Sequence, residues 1–366
     1  MSLRHWEPGE LARWRASSGV TGWGLRVASR LYELGVTGRN IAFDRRLLRP
    51  RVASMPVISV GNIVTGGTGK TSIVRHLATI LRPARVGIVT RGYGHSLPST
   101  PHLVRLDEPA WLVGDEPALL SRWLPDVPIM VSGDRWKGAH RLNGVVDVVL
   151  LDDGFQHRWL DRELDIVVIA PSSPDRLLPR GDLREPLSGL KRADLLWIHE
   201  DGLTSLSDEE GWWKNWTLAP VIRSRYVVKC VNALSPDEPE VHPGRWLEGR
   251  RVHVLTAIAR GERVDALLKT QGAHVTGATR LADHHPFGSS TIAQVTGRVR
   301  QEGAGLVVTT EKDAVKLLSW DRAQLAVPIF IVKVQLEVFH GCGVLRHHLE
   351  SIIPNCRGLT DVNTKR

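Results

Sequence analysis

The residues best suited to chemistry lie in a glycine-rich loop that follows a short apolar run. That run begins at Val57, and residues 72–81 after the loop have the spacing of a helix. Glycines permit unusual φ values and let main-chain amides approach an anion closely. Lys70 would neutralise the β- and γ-phosphates of a nucleotide, and Thr71 would offer a hydroxyl ligand to Mg²⁺. The predicted nucleotide-binding residues are Thr65, Gly66, Gly67, Thr68, Gly69, Lys70 and Thr71.

One position departs from the usual phosphate-loop pattern, which places a glycine six residues before the lysine. Val64 occupies that position, and Gly66 and Gly67 lie inside the loop instead. A glycine-rich surface turn is the alternative interpretation. The apolar run before the loop and the helical pattern after it favour the phosphate loop, because the motif requires both.

A pair of aspartates, Asp152 and Asp153, follows the apolar run 145–151. Such a pair suits the acidic partner of a phosphate loop, because Mg²⁺ prefers oxygen ligands. The alternative is a pair of turn-forming residues. For the nearby His157 two interpretations stay open, contact with a substrate and orientation of a carboxylate. Residues 310–313 do not fit the Asn/Thr-Lys-x-Asp pattern of guanine-specific enzymes, which favours adenine.

Asp283, His284 and His285 form a second candidate cluster. Zinc needs three or four ligands, and the sequence offers no convincing third partner. A buried structural histidine is a second interpretation. A pair of aspartate and histidine that accepts a proton is the functional one, since phosphoryl transfer to an alcohol needs a base for the attacking hydroxyl.

The elements that must position these residues follow an alternating order of short apolar runs and helical segments. This order predicts a parallel sheet covered on both faces, an α/β domain of the P-loop NTPase type. After a proline-rich connection at 236–243, a smaller α/β unit begins near residue 251, and we expect it to be a lid or substrate lobe. No role is evident for Trp212, Trp213 and Trp216. The apolar runs of the first unit are 57–60, 86–90, 127–132, 145–151, 164–170 and 195–199.

The bulk composition is that of an ordinary globular protein. The 366 residues suffice for two domains, and 42% of them are hydrophobic and 24% charged. Cys230, Cys342 and Cys356 have no paired spacing, which argues against a disulfide framework and fits a reducing compartment. We expect no spanning helix and no signal peptide, since neither pattern occurs in the sequence.

The net charge of +9 is concentrated in residues 1–51, where ten arginines against four acidic residues leave +6. Basic residues beside an apolar helical stripe are typical of a segment that binds an anionic membrane surface. The alternatives are a helix that packs its apolar face on the domain and, since no recognition module is present, the less favoured binding of nucleic acid. The stripe consists of Trp23, Val27, Leu31 and Leu34, with Arg26 and Arg30 beside it.

Together these segments resemble the tetraacyldisaccharide 4'-kinases of lipid A biosynthesis, the LpxK family. The resemblance spans most of the chain, and Val64 in place of the first loop glycine is a feature of that family too. A departure lies at 256–261, where family members usually have a Gly-Ile-x-x-Pro-like turn. The motifs that carry the resemblance, in chain order, are 59–62 with 66–71, 90–94, 114–117, 151–157, 181–186, 283–285 and 310–316.

The resemblance implies transfer of the ATP γ-phosphate to the 4'-hydroxyl of a tetraacylated glucosamine disaccharide 1-phosphate. Asp115 would be the catalytic base, assisted by His284 from the second lobe. Lys70 would hold phosphates during the transfer. The implied metal residues are Thr71, Asp152, Asp153 and Glu185, and the implied substrate contacts are Arg135, Arg184 and, in one of its two interpretations, His157.

The resemblance also implies two α/β lobes joined by two linker strands, for which we predict 226–231 and 329–336. A lipid substrate agrees with the basic, aromatic N-terminal segment, so we expect a peripheral protein on the cytoplasmic face of the inner membrane. The predicted segments are 1–51 for membrane association, 52–222 for the kinase domain, 223–243 for the first linker, 244–325 for the second lobe, 326–340 for the return strand and 341–366 for the tail.

A protein of a different class remains the alternative to the kinase. A nucleotide-hydrolysing switch or a metal-insertion protein could use the same loop to change its affinity for a partner. The discriminating feature is the pair of Asp115 and His284, because a switch does not need a base for an attacking hydroxyl.

Overall fold

The computed structural model describes residues 19–170, 174, 176–200, 211–234, 240–258, 260–282, 285, 287–317 and 327–354. The helices are α1 (Gly19–Asp44), α2 (Lys70–Ile80), α3 (Ala110–Val113), α4 (Asp115–Trp123), α5 (Arg135–Arg141), α6 (Glu262–Thr270), α7 (Ser289–Glu302), α8 (Glu311–Leu317) and α9 (Cys342–Ile352). The strands are β1 (Val57–Asn62), β2 (Val86–Thr90), β3 (His102–Leu103), β4 (Ile129–Val131), β5 (Val148–Asp152), β6 (Leu164–Ile169), β7 (Leu195–Glu200), β8 (Val221–Ala233), β9 (Val241–His242), β10 (Arg251–Thr256), β11 (His274–Arg280), β12 (Leu306–Thr310) and β13 (Ile329–His340).

These strands form one mostly parallel sheet, and helices pack on its faces. The strand order is β11-β10-β12-β13-β8-β7-β6-β1-β5-β2-β4-β3, with β9 paired to β8. Every residue of β1, β2, β5 and β6 is buried, which explains why these strands occur as nearly continuous apolar runs in the sequence. The predicted α/β class is therefore confirmed.

The sheet contains two lobes that share the long strands β8 and β13. We call β1–β7 with their helices the first lobe, and β10–β12 with α6, α7 and α8 the second lobe. β8 and β13 pair with each other in antiparallel fashion, while β8 continues the first lobe beside β7 and β13 continues the second beside β12. The expected two-stranded connection is confirmed, and the segment boundaries stay predictions.

Both connecting strands are longer than the sequence predicted. The added residues include charged side chains. Because these interrupt the apolar run, the full length of the strand cannot be recognised from apolar residues alone. One of these charges is paired across the two strands, since Arg225 Nε lies 2.6 Å from Glu337 Oε2. A cross-strand pair of this kind suits the exposed side of an antiparallel ladder.

The order of the strands brings two loops of the first lobe together. β1 lies between β5 and β6 and is parallel to both. Val60 near the end of β1 is aligned with Asp152 at the end of β5. The glycine-rich loop and the aspartate pair therefore leave the sheet at the same edge, where ligands bind in open α/β sheets.

Helix α1 runs unbroken for 26 residues although it contains several glycines, which disfavour helices by about 1 kcal/mol each. Hydrogen bonds between α1 and the first lobe offset this cost. Tyr32 Oη donates a hydrogen bond to the Arg184 carbonyl (2.6 Å), and Ser29 Oγ donates one to the Leu177 carbonyl (3.0 Å). Among the described residues, no helix is both long enough and apolar enough to cross a bilayer.

The apolar stripe of α1 faces solvent. Trp23, Leu31 and Leu34 are 63%, 64% and 68% exposed, while the contacts with the first lobe come from other positions of the helix. The alternative that this stripe packs on the domain is therefore wrong. The preceding residues 1–18 of the predicted membrane segment lie outside the described residues.

Four helices, α3, α5, α8 and α9, were not predicted from the sequence. In α9, within the segment expected to be a tail, Leu345 and Leu349 are fully buried in the core of the first lobe. Two of the tryptophans without an assigned role prove structural, because Trp213 is buried in a second core cluster and Trp212 packs against it. Trp212 Nε1 donates a hydrogen bond to the Ala170 carbonyl (3.2 Å).

Candidate active site

The loop between β1 and α2 has the backbone geometry of an anion-binding turn. Gly66 and Gly69 have φ angles of +99° and +84°, a region that only glycine enters readily. Helix α2 begins at Lys70, so its free amides and the positive end of its dipole face the loop. Asn62 Nδ2 donates a hydrogen bond to Thr68 Oγ1 (3.0 Å), which ties the loop to β1.

Asp153 forms ion pairs with two positively charged side chains at this edge of the sheet. Its Oδ1 lies 3.4 Å from Lys70 Nζ, and Arg184 Nη1 donates to both of its carboxylate oxygens (2.8 and 2.9 Å). Burial alone would raise the pKa of Asp153, but the charges of Lys70 and Arg184 lower it below its ordinary value. Asp153 therefore holds the two cations beside the loop.

The pKa of Asp152, in contrast to that of Asp153, is raised. It is fully buried, and burial, followed by the charge of Glu116, raises its pKa to about 8. Thr71 Oγ1 lies 3.5 Å from its Oδ2. Its Oδ1 is buried without a hydrogen-bond partner in the described part of the chain. A carboxylate in this position would gain from a nearby cation.

Thr71 and Asp152 therefore fit a magnesium ion, because hydroxyl and carboxylate oxygens are the donors that this hard cation prefers. Within the described ranges, no three side chains of His, Cys, Asp or Glu come together as a metal site.

Glu185 does not join the aspartates in such a group. Its carboxylate accepts hydrogen bonds from Asn40 Nδ2 (3.2 Å), Gln156 Nε2 (2.9 Å) and Arg192 Nη2 (2.7 Å). Gln156 Oε1 in turn accepts one from Arg184 Nη1 (3.3 Å). Glu185 is thus linked to the cation cluster through Gln156, and its direct role at the metal stays a prediction.

Arg135 and His157 lie at the same edge but differ in charge. Arg135 is buried and donates to the carbonyls of Ser132 and Gly133 (both 3.1 Å). Burial lowers its pKa, and the nearby charge of Asp153 opposes this effect. Burial first and Arg135 second lower the pKa of His157 to about 4, so His157 is neutral at physiological pH.

The predicted base Asp115 is the first residue of α4 and follows Gly114, whose φ is +99°. Its Oδ2 lies 2.6 Å from Lys316 Nζ of the second lobe. His284, its predicted partner, lies outside the described residues, as does Asp283. The adjacent His285 has a structural contact, since its Nδ1 accepts a hydrogen bond from the Phe287 amide (3.0 Å).

The family model of the tetraacyldisaccharide-1-phosphate 4'-kinases, LpxK, matches residues 21–353. The chain belongs to this family.

Relatives within the kinase family cover nearly the same length. The tetraacyldisaccharide 4'-kinase of Anaeromyxobacter dehalogenans (strain 2CP-C) is 35% identical over 351 residues, which are 91% of this chain and 92% of the relative. That of Geobacter metallireducens is 36% identical over 306 residues, 80% of this chain and 88% of the relative. The resemblance stated from the seven motifs is confirmed.

A solved structure shows the same fold. LpxK from Aquifex aeolicus, in complex with ATP, superposes with a TM-score of 0.71 at 29% identity and covers 90% of this chain and 98% of its own. The P-loop kinase fold is thereby confirmed. The kinase uses ATP and is a phosphotransferase with an alcohol group as acceptor, and the switch or metal-insertion alternative is not favoured.

Sequence reasoning assigned no role to two charged residues that lie beside predicted site residues. Glu116 follows the predicted base and affects the pKa of Asp152. Lys316 belongs to the motif 310–316, which carried the resemblance without any assigned role. The motif 310–316 was therefore a signal that Lys316 has a role. The sequence could not show that Lys316 contacts Asp115, because this contact depends on the tertiary structure.

A cleft lies between α1 and the segment that leads to Arg184. Its volume is about 580 Å³. The lining combines basic and apolar side chains, which is the combination that an anionic lipid would require. The basic residues are Arg26, Arg30, Arg176 and Arg180, and the apolar ones include Leu177, Leu183, Leu187 and Trp216.

Proposed function

We propose that this kinase transfers the γ-phosphate of ATP to the 4'-hydroxyl of a tetraacylated glucosamine disaccharide 1-phosphate, to give lipid IVA. The hydroxyl oxygen attacks the γ-phosphorus, and the bond from that phosphorus to the β–γ bridging oxygen breaks, so that ADP leaves. Asp115 accepts the proton of the hydroxyl. Lys70, Arg184 and the amides of the phosphate loop hold the phosphates in line with the acceptor.

The observation that supports this assignment most directly is the proximity of α4 to the phosphate-loop carboxylates. Glu116 is close enough for its charge to raise the pKa of Asp152, and Asp115 is the adjacent residue of the same helix turn. A base at that position would meet an acceptor hydroxyl beside the terminal phosphate. Geometry of this kind is the first requirement for a general base.

Magnesium would be held by Thr71 and Asp152, with Asp153 holding the surrounding cations. When bound, the ion supplies neutralisation of the charge that develops on the phosphate oxygens. The protein's own contribution is to keep Asp152 buried and to hold Lys70 and Arg184 in place through Asp153. Arg135 adds a buried positive charge near both aspartates.

The cleft beside α1 supports a site for the lipid part of the substrate. Acyl chains would contact Leu177, Leu183 and Leu187, while the arginines that line the cleft would attract the 1-phosphate. The same segment leads through Leu183 to Arg184 at the phosphate loop. A lipid bound there would lie close to the reaction centre.

The exposed stripe of α1 supports association with an anionic membrane surface. Trp23, Leu31 and Leu34 offer an apolar face, and Arg26 and Arg30 are exposed on the same helix. Apolar and basic residues in this arrangement suit a helix that lies in the interface between water and lipid. We place the protein as a peripheral enzyme on the cytoplasmic face of the inner membrane.

The activity is tested by incubating the full-length protein with ATP, Mg²⁺ and tetraacyldisaccharide 1-phosphate and recording product mass. We expect a lipid product heavier by one phosphoryl group, and no such product from Asp115→Asn. ATP turnover should depend on the lipid acceptor. Rapid hydrolysis of ATP without acceptor and without a phosphorylated lipid would favour the nucleotide-hydrolysing switch.

Membrane association is tested by sedimentation with phosphatidylglycerol vesicles. The double substitution Leu31→Ser and Leu34→Ser should reduce binding at least about tenfold, because burying one leucine contributes about 1.5–3 kcal/mol. Leu218→Ser is the matched control, since Leu218 is fully exposed outside α1. Unchanged sedimentation of the double variant would contradict the proposal.

A further inference from the structure

The motif 310–316 lies mostly in α8 of the second lobe, which contacts the first lobe at the helix that carries the predicted base. We propose that α8 positions Asp115 for catalysis, with Lys316 holding its carboxylate and Glu311 fixing the opposite end of α4. This inference rests on the proposed role of Asp115 and adds Lys316 as a positioning residue for that base.

The contact between Lys316 and Asp115 is short and shielded from water. Nζ lies 2.6 Å from Oδ2, and the two side chains are only 7% and 12% exposed. An ion pair of this length, largely removed from solvent, is weakly screened and restricts the rotamer of the carboxylate. A carboxylate has acceptor sites on both oxygens, so one bound ammonium leaves capacity to accept a proton from a substrate.

Lys316 is itself fixed by a neighbour in its own lobe. Its Nζ lies 5.9 Å from the centre of the Phe287 ring, within the range of a cation–π interaction. Phe287 is buried. The lysine thus reaches Asp115 from a defined position and not as a mobile surface side chain.

The start of α8 is tied to the sheet of the second lobe through Asp313. Its buried Oδ2 accepts hydrogen bonds from Thr310 Oγ1 (2.8 Å) and from the amide of Ala257 (3.1 Å). Thr310 ends β12 and Ala257 follows β10. The helix that carries Lys316 is therefore fixed to two strands of its lobe.

A second polar contact lies at the far end of α4. Trp123 Nε1 donates a hydrogen bond to Glu311 Oε1 (2.7 Å), and Arg75 of α2 lies 3.7 Å from Glu311 Oε2. The Arg75 guanidinium also lies over the Trp123 ring, 4.5 Å from its centre. Glu311 thereby connects α8 to α4 and to the helix that follows the phosphate loop.

An apolar contact lies between these two polar ones. Val315 packs against the small cluster of Ala110, Val113 and Ala118 in α3 and α4. α4 is thus supported by α8 at its first residue, in its middle and at its last residue. These three contacts support a role of the second lobe in the placement of Asp115.

The test compares Lys316→Met with Lys316→Arg in the full-length protein, using ATP and tetraacyldisaccharide 1-phosphate. Rates are normalised to the number of sites that bind an ATP analogue, so unfolded protein does not imitate a loss of kcat. For Lys316→Met we expect kcat to fall by about 10²-fold, with both KM values within about twofold of wild type. Lys316→Arg retains the charge and should recover most of the loss.

The matched control is Lys269→Met, an exposed lysine of the same lobe, which should behave like wild type. The inference is overturned if Lys316→Met keeps kcat within about threefold of wild type, or if its defect lies in KM for ATP. Asp115→Asn is measured in parallel. Activity of Asp115→Asn would contradict the proposed base itself, whereas an inactive Asp115→Asn beside a fully active Lys316→Met would reject the role of Lys316 alone.

Discussion

Each lobe has a turn that leads from a buried parallel strand into a helix. The two turns differ in the group that their backbone amides can bind. In the first lobe the turn after β1 contains Gly66 and Gly69 at positive φ and enters a helix that begins with Lys70. In the second lobe the turn after β10 ends at Gly261, whose φ is −60°, and enters α6, which has Glu262 and Asp265 in its first turn.

In the second turn a carboxyl group of the chain itself accepts the backbone amide. The amide of Ala257 donates to the buried carboxylate of Asp313 (3.1 Å), whereas the first turn presents its amides beside Lys70 and Thr71. The same strand–turn–helix arrangement therefore serves two purposes. One turn is suited to an external phosphate, and the other secures α8, the helix that contacts Asp115.

The largest effect is expected for Lys70→Ala, which removes the positive charge of the first turn. We expect kcat/KM to fall on the order of 10³-fold or more, because phosphoryl transfer depends mainly on positioning and charge neutralisation. The fold should persist, since Arg184 still pairs with Asp153. The measurement is product formation with ATP and lipid acceptor, together with circular dichroism.

Lys269→Ala is the control for that substitution, because Lys269 is an exposed lysine at the end of α6. It should leave kcat/KM unchanged. A Lys70→Ala enzyme that retained more than about one tenth of the activity would remove the functional distinction between the two turns.

A smaller effect, on stability more than on nucleotide binding, is expected for Asp313→Ala in the second turn. The substitution leaves the Ala257 amide and the Thr310 hydroxyl without their acceptor, and each such loss costs about 1–3 kcal/mol. The free energy of unfolding, measured with urea, should fall accordingly, while the Kd for an ATP analogue should stay within about threefold of wild type.

Asp313→Asn is the matched variant, since it retains one carbonyl oxygen as an acceptor and should lose less stability than Asp313→Ala. Equal stability of Asp313→Ala and wild type would show that the internal carboxylate does not secure the second turn. A large loss of nucleotide affinity would instead show that the second turn takes part in ATP binding.

The contrast between the turns also explains what the sequence could reveal. The phosphate loop was predictable because its glycines, Lys70 and Thr71 are consecutive and their roles are set by local backbone geometry. The aspartate pair was predictable because parallel strands bring their carboxyl ends to one edge. The contact of Lys316 with Asp115 was not predictable, because it depends on how two lobes pack.

Helix α1 illustrates a second limit. Its apolar stripe has the same spacing whether the stripe faces a core or a membrane, so periodicity could not decide between them. The orientation of α1 is set by other residues of the helix. Ser29 and Tyr32 form hydrogen bonds with the first lobe, and Leu31 and Leu34 remain exposed.

The smallest effect concerns His157, which lies near the cations of the first turn without adding to their charge. Its pKa is lowered to about 4 by burial and by Arg135, compared with about 6.5 in an unfolded chain. Between these values the unfolded state binds the additional proton, so the contribution of His157 to stability is complete above pH 6.5 and is lost as the pH falls towards 4. We therefore expect His157→Gln to lose less thermal stability than wild type between pH 7 and pH 5. An equal loss in both proteins would mean that His157 titrates normally and can carry charge beside the phosphate site.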